Sequence, residues 1–322
     1  MKLALRAGLV AVVAAVAAQA GAAAPARMRL AATPESFLLW NQHDGLLGVE
    51  RCDVAHDVDE GKCVSGAVER TSDGGRTYHV VLRTKQPIGR LQTVGAHGAL
   101  ASTQGHDGWL TLDRGRTWRH VSSAPDVDWL TSRFGVSFEG YAAHNRAELA
   151  LRVTRDGGRT WRRQSDPCKS AVAFAAFADL VSTKRWWVAC VGQGGAGNED
   201  KAIFRTRDGG ATWQAGAATL LMSGGARERG GIQEYGYPEQ LAFAPDGFGL
   251  LTESRGALYV TRDGGLRFHV VPVARPELDF GGGASAFRGG IAYVLLTGAA
   301  PRLIETRDFG RAWHVVRRWR RG

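Results

Sequence analysis

Lysine, cysteine and long apolar runs are all scarce in this chain, and each scarcity excludes something. Of 41 basic residues in 322, six are lysine and 35 are arginine, with a formal net charge of +10. So strong an arginine bias follows from a GC-rich coding sequence as readily as from a partner. The basic residues are spread along the chain, with one dense cluster, "RRWRRG" from Arg317; no nucleic-acid partner is expected. Beyond the N-terminal stretch no apolar run is long enough to span a bilayer, so the mature chain is expected to carry no transmembrane anchor. The four cysteines lack the spacing of a zinc site, and no metal or other cofactor is expected. No Ser-His-Asp arrangement or metalloprotease motif stands out.

What is present begins with an export signal. "MKLALR" is a short basic region, "AGLVAVVAAVAA" an apolar one, and "AQA" or "APA" a small-residue cleavage site near Ala20 or Ala26. Residues 1–26 are read as a signal peptide and 27–322 as one domain, secreted to the periplasm or the medium. Four cysteines suit such an oxidising compartment. Cys52 with Cys63 and Cys168 with Cys190 are the expected pairs among three possible pairings, two pairs of free thiols being the alternative.

The mature chain repeats one short phrase. "TSDGGRTY" starts at Thr71, "TLDRGRTW" at Thr111, "TRDGGRTW" at Thr154, "TRDGGATW" at Thr206, "TRDGGLRF" at Thr261 and "TRDFGRAW" at Thr306. Their aspartates, Asp73, Asp113, Asp156, Asp208, Asp263 and Asp308, are 40, 43, 52, 55 and 45 residues apart. That is the period of a propeller blade. Threonine suits a strand end, the Asp carboxylate accepts backbone N–H groups across a tight turn, and glycine takes dihedrals closed to other residues. The closing aromatic (Tyr78, Trp118, Trp161, Trp213, Phe268, Trp313) offers a large surface to bury. Asp-Gly turns at Asp44 and Asp246, between short apolar runs, add a second hairpin signal upstream of the next copy. The expected fold is an all-β propeller of six, alternatively seven, four-stranded blades, each too small to bury its faces alone.

The pattern Ser/Thr-x-Asp-x-Gly-x-Thr-Trp resembles the BNR or Asp-box repeat of sialidases, other glycoside hydrolases, sortilin-type receptors and the exported propellers similar to photosystem II assembly factors. The resemblance implies that the boxes are structural turns and that ligands use the opposite face. Two copies depart from it, with Arg267 in place of Thr in one, and Phe309 and Ala312 in the other.

On that opposite face the longest loop is "GGARERGGIQEYGYPEQ", residues 224–240. Its Arg227, Arg229, Glu234, Tyr235, Tyr237 and Glu239 combine arginine with aromatics, the side chains of a binding hot spot. Glu234 and Tyr235 could mimic the Tyr nucleophile and Glu of a sialidase. However, the family's Phe/Tyr-Arg-Ile-Pro motif is absent, "ARMRLAATPE" being the nearest approach. "GQGGAG" (192–197) spells a dinucleotide fingerprint but leads into a strand rather than a helix, and "GGGASAFRGG" (281–290) is set aside for the same reason. The acidic run Asp53, Asp57, Asp59 and Glu60 lacks calcium-loop spacing, and His106 and His144 are read as surface residues. The expected role is a non-enzymatic scaffold binding a protein or an acidic glycan of the cell envelope. A sialidase-type glycoside hydrolase is the alternative.

Overall fold

Strands arise wherever apolar and polar side chains alternate between glycine-rich turns. The structure is a computed structural model that describes residues 30–53, 63–103, 107–121, 127–143, 146–171, 173–219, 228–255, 257–272, 278–279, 282–298 and 300–319. Residues 1–26, expected to be a signal peptide, and Asp57, Asp59, Glu60, His106, His144 and Arg227 lie outside the described residues.

β1 (Leu30–Leu39), β2 (Gly45–Asp53), β3 (Cys63–Thr71) and β4 (His79–Thr84) form an antiparallel sheet in chain order. The next sheet has two halves: β5 (Ile88–Val94), β6 (Gly98–Thr103), β7 (Gly108–Thr111) and β8 (Arg119–Val121), then β9 (Val127–Trp129), β10 (Gly135–Ala143), β11 (Arg146–Thr154) and β12 (Arg162–Arg163). One parallel bridge, Val94 to Trp129, joins them. β13 (Ala175–Leu180), β14 (Trp186–Gly195), β15 (Asn198–Thr206) and β16 (Gln214–Ala218) follow, then β17 (Tyr237–Phe243), β18 (Gly249–Ser254), β19 (Leu258–Thr261) and β20 (His269–Val270). In the last unit β21 (Leu278–Asp279) and β22 (Ala284–Phe287) share one edge of β23 (Ile291–Gly298), beyond which lie β24 (Arg302–Thr306) and β25 (His314–Arg318).

The first strands of the units, β1, β5, β9, β13, β17 and β22, line one central channel of about 540 Å³. The units therefore stand around an axis as a β-propeller. The inner strands β13, β17, β22 and β1 each present an amide that a side chain of the preceding unit accepts. Asp128 on β9 accepts from Gln92 Nε2 at 2.9 Å on one side and from the Ala178 amide at 2.8 Å on the other. Asp179 accepts from the Phe243 amide at 2.5 Å. Gln240 exchanges two bonds with the backbone of Ala284, and Ser285 Oγ accepts from the Leu39 amide at 2.9 Å. That last bond lies at the seam between the final unit and the first.

The repeated turns share one geometry. A buried threonine donates its hydroxyl to the aspartate two residues on and accepts the glycine amide four residues on, as Thr154 does toward Asp156 and Gly158 at 2.8 and 2.9 Å. The Asp156 carboxylate then caps Thr160, taking its amide at 2.9 Å and its hydroxyl at 2.6 Å. These bonds, the Thr160 hydroxyl first, hold Asp156 down at about 2, and the matching bonds do the same for Asp113 and Asp208. Each turn also docks by one amide on the neighbouring hairpin turn of its own sheet, Gly74 on the His43 carbonyl and Gly157 on the Arg133 carbonyl among them. At Gly75 φ is +88° and a Cβ would run into Leu303, so glycine is required there. Arg114 and Phe309 take the left-handed conformation, at φ 59° and 62°, where four other copies place glycine. Such strain costs about 1–3 kcal/mol. It is opposed by Arg114 bonding Asp44 and His97, and by the Phe309 ring meeting Phe248 edge-on at 5.5 Å.

Apolar clusters fill the spaces between units. Trp187 stacks on Phe243 at 4.1 Å between the fourth and fifth, and Trp186, fully buried, meets Trp213 at 5.9 Å. The seam is closed by Phe37, Leu39, Leu47 and Val49 packed on Tyr293, Leu295 and Leu303. Arg317 and Trp319 do not project as a solvated tail: Arg317 donates to the Arg76 carbonyl at 2.6 Å and lies over the rings of Tyr78 and Trp319. Cys52 pairs with Cys63 across β2 and β3, and Cys168, in a 3-10 turn, pairs with Cys190 on β14. "GQGGAG" is the end of β14 and its turn into β15, which bears out a run that leads into a strand.

Candidate functional site

Segment 228–236 leads from the fourth unit to the fifth, its Gly230 carbonyl accepting from the Phe268 amide beside the fifth repeated turn at 2.7 Å and its Tyr235 end bridging Asn198 at the far end of β15. Its backbone is bound to the fourth unit at both ends: Arg229 and Ala218 exchange amide bonds at 2.8 Å, the Glu199 amide donates to Glu234 and the Gly236 amide to Gly197, both at 2.8 Å. Ile232 is fully buried beneath it.

A lysine holds the middle. Lys201 of β15 is completely buried, and its ammonium donates to Glu253 Oε1 at 2.7 Å and to the carbonyls of Gly236, Tyr235 and Glu234 at 2.9, 3.3 and 3.4 Å. Glu253 of β18 is equally buried. Burial raises its carboxyl above the ordinary range, and the Lys201 charge draws it back. A buried ion pair survives only when its remaining donors and acceptors are satisfied, and here three carbonyls complete the set. The pair thus ties the segment to two sheets at once.

This clamp decides what the segment displays. With its carbonyl turned in, Tyr235 leaves its ring 56% exposed. Tyr237 and Glu239 belong to β17 rather than to the loop where the sequence reading puts them. The Tyr237 hydroxyl accepts from the Gly197 amide at 3.0 Å. Glu199 is raised by burial, lowered by Lys201 and raised again by the charge of Glu239, which borders the central channel. The arginines do not join them: Arg229 donates through Nε to the Gly216 carbonyl at 2.5 Å, and Arg227 is outside the described residues. Among the described residues the side chains of Glu234 and Tyr235 make no hydrogen bond to one another, and the backbone bends there so that three successive carbonyls turn toward Lys201.

Sequence reasoning missed Lys201 and Glu253, since one charge within a strand pattern reads as a solvent-facing position. It also missed the channel carboxylates. Asp179 borders the channel yet is surrounded by protein, and this burial, with Asp128 nearby, pushes it up to about 7 against the bond from the Phe243 amide. One group of metal-ligand proximity occurs among the described residues, Glu50 with Cys52 and Cys63, but both its sulfurs are bound in a disulfide.

No family model matches the chain. The photosystem II assembly protein Ycf48 of Synechococcus sp. (strain JA-3-3Ab) is 25% identical over 153 residues, 46% of this chain and 42% of its own length. The chain thus spans less than half the length of the curated relative it matches. A solved structure of YCF48 bound to D1 peptide shares 16% identity, covering 90% of this chain and 82% of its own at a TM-score of 0.45. The β-propeller domain of the Trilobed protease from Pyrococcus furiosus shares 9%, covering 88% and 84% at 0.41. The ring rests on the strand pairing described above rather than on these two likenesses. The protein is a β-propeller that resembles the photosystem II assembly factor.

Proposed function

We propose that this propeller is a non-enzymatic scaffold that binds a protein through the surface built from Glu199, Tyr235, Tyr237 and Glu239, and that it works outside the cytoplasm after removal of residues 1–26. The observation that carries the reading is the Lys201 clamp, which fixes an exposed aromatic ring on immobilised backbone. An aromatic anchor held in place before binding loses little entropy on association. The carboxyls of Glu199 and Glu239 suit a partner segment that brings amide or basic donors, and disfavour an acidic glycan at this spot. An assembly role, named for the Synechococcus relative, is a scaffold role of this kind.

The second reading is a glycoside hydrolase, favoured by Asp179 titrating near neutrality close to Asp128 in the channel. Against it, both carboxylates already bond backbone of adjoining strands. One experiment separates the two. The purified protein is assayed on a panel of fluorogenic glycosides, sialosides included, and a photo-crosslinking residue at position 235 is used to trap partners in envelope extracts. The expected result is no turnover and a discrete protein adduct lost in Tyr237→Ala. Turnover abolished by Asp179→Asn or by Tyr235→Phe would replace the scaffold with an enzyme.

A further inference from the structure

On the opposite side, between the repeated turns of the fourth and fifth units, lies a cleft of about 460 Å³. Four arginines line it, Arg185, Arg205, Arg207 and Arg262, with Asp246 and Asp263. Both carboxylates are occupied by the backbone: Asp246 accepts from the amides of Phe248 and Gly289, and Asp263 caps its own turn through Thr261, Leu266 and Arg267. Among the described residues none of the four guanidinium groups is in an ion pair. Arg185 donates to the Pro245 carbonyl, Arg205 to the carbonyls of Asp263 and Gly264 at 2.8 and 3.1 Å, and Arg262 to that of Phe309 at 3.0 Å.

Arg207 differs from its counterparts. It occupies the residue between Thr and Asp of the repeated turn, as do Arg155, Arg262 and Arg307. Arg155 lies over the ring of Phe134, and Arg307 pairs with Glu305 at 3.2 Å. Arg207 has no such partner among the described residues. Burial and the charge of Arg207 together draw the half-buried Arg205 below its ordinary value, with Asp263 opposing. Four like charges against two carboxylates that already serve the backbone leave the cleft in want of an anion.

We propose that the cleft bounded by Arg185, Arg205, Arg207 and Arg262 is a binding site for a tetrahedral oxyanion, phosphate or sulfate, either free or as an ester group on a polymer. Four guanidinium groups against two carboxylates leave an excess of positive charge that a dianion neutralises and a single carboxylate would not. The planar guanidinium fork suits such oxygens. The site is remote from Tyr235 and independent of the partner proposed there.

Titration calorimetry and melting curves with inorganic phosphate, sulfate, polyphosphate and dextran sulfate test this, with acetate and chloride at matched ionic strength as comparisons. The wild type and Arg307→Gln are expected to bind and to melt higher with the tetrahedral anions than with acetate. Arg207→Gln, whose ligand-free melt should be unchanged because the side chain is exposed, is expected to bind about tenfold more weakly or worse, and Arg207→Lys to recover part of the loss. Binding of monomeric phosphate identifies a free anion as sufficient, whereas binding confined to polyphosphate or dextran sulfate identifies an ester on a polymer. Equal response to acetate and phosphate, or undiminished binding in Arg207→Gln combined with Arg262→Gln, would overturn the proposal.

Discussion

Replacing Lys201 with Met tests the clamp beneath Tyr235. The substitution keeps the aliphatic stem but removes a buried ammonium that serves one carboxylate and three carbonyls. Breaking a buried pair from one side costs about 3–5 kcal/mol, because the remaining charge is stranded. At about 2–4 °C per kcal/mol for a large domain, the melting temperature should fall by on the order of 10 °C. The size depends on pH with a defined sign. Glu253, already raised by burial, rises further without Lys201, and an acid raised in the folded state contributes stability that is lost as pH increases. The deficit should therefore widen from pH 5 to pH 8. Lys201→Met combined with Glu253→Gln removes the stranded charge, and should recover part of the stability and abolish the widening. Hydrogen exchange at the Glu199 and Gly236 amides, which bond across this segment, should accelerate in the single variant. A single variant that melts with the wild type at both pH values, with these amides still protected, would refute the clamp.

Three further outcomes follow from the ring and its turns. Asp179 is raised to about 7, so its contribution is present below about 4, the ordinary carboxyl value, and is lost as pH climbs to about 7; urea titrations of Asp179→Asn should lack that decline, and a slope equal to wild type counts against a buried carboxyl. Asp156 is lowered to about 2, the opposite sign: Asp156→Ala should melt lower at pH 7, with the gap closing as the wild-type carboxylate protonates on the way to pH 2, and an undiminished gap in acid would show that charge is not what the turn uses. Trp187→Ala, which empties the stack on Phe243, should cost about 3–5 kcal/mol in denaturant unfolding; a loss under 1 kcal/mol would mean that the interface between the fourth and fifth units repacks.

The parts of this protein that were legible in its sequence are those written in local chemistry. A turn of Thr, Asp and Gly carries its own donors and acceptors within five residues, so each copy announces itself and the spacing announces the ring. Lys201 and Glu253 are 52 positions apart, and neither neighbourhood shows that both side chains point inward. Tyr237 and Glu239 read as loop because glycine and proline surround them, whereas pairing with β18 makes that stretch a strand with an irregular register at Pro238 and Gln240. Arg317 stands in a basic terminal cluster, and nothing local shows that it will meet Tyr78 across the seam. For Lys201 and Arg317 the deciding partner lies in another unit, brought near only when the sheets assemble, and for Tyr237 and Glu239 it is the next strand of their own sheet.

Every sheet among the described residues is cut from one uninterrupted length of chain, and the last meets the first through the same kinds of link that join the others: a side chain capping an inner-strand amide and an apolar filling behind it. No strand is exchanged to latch the circle there. Circularly permuted versions whose chain opens at another gap between sheets should therefore close the same ring, with thermal unfolding close to that of the original.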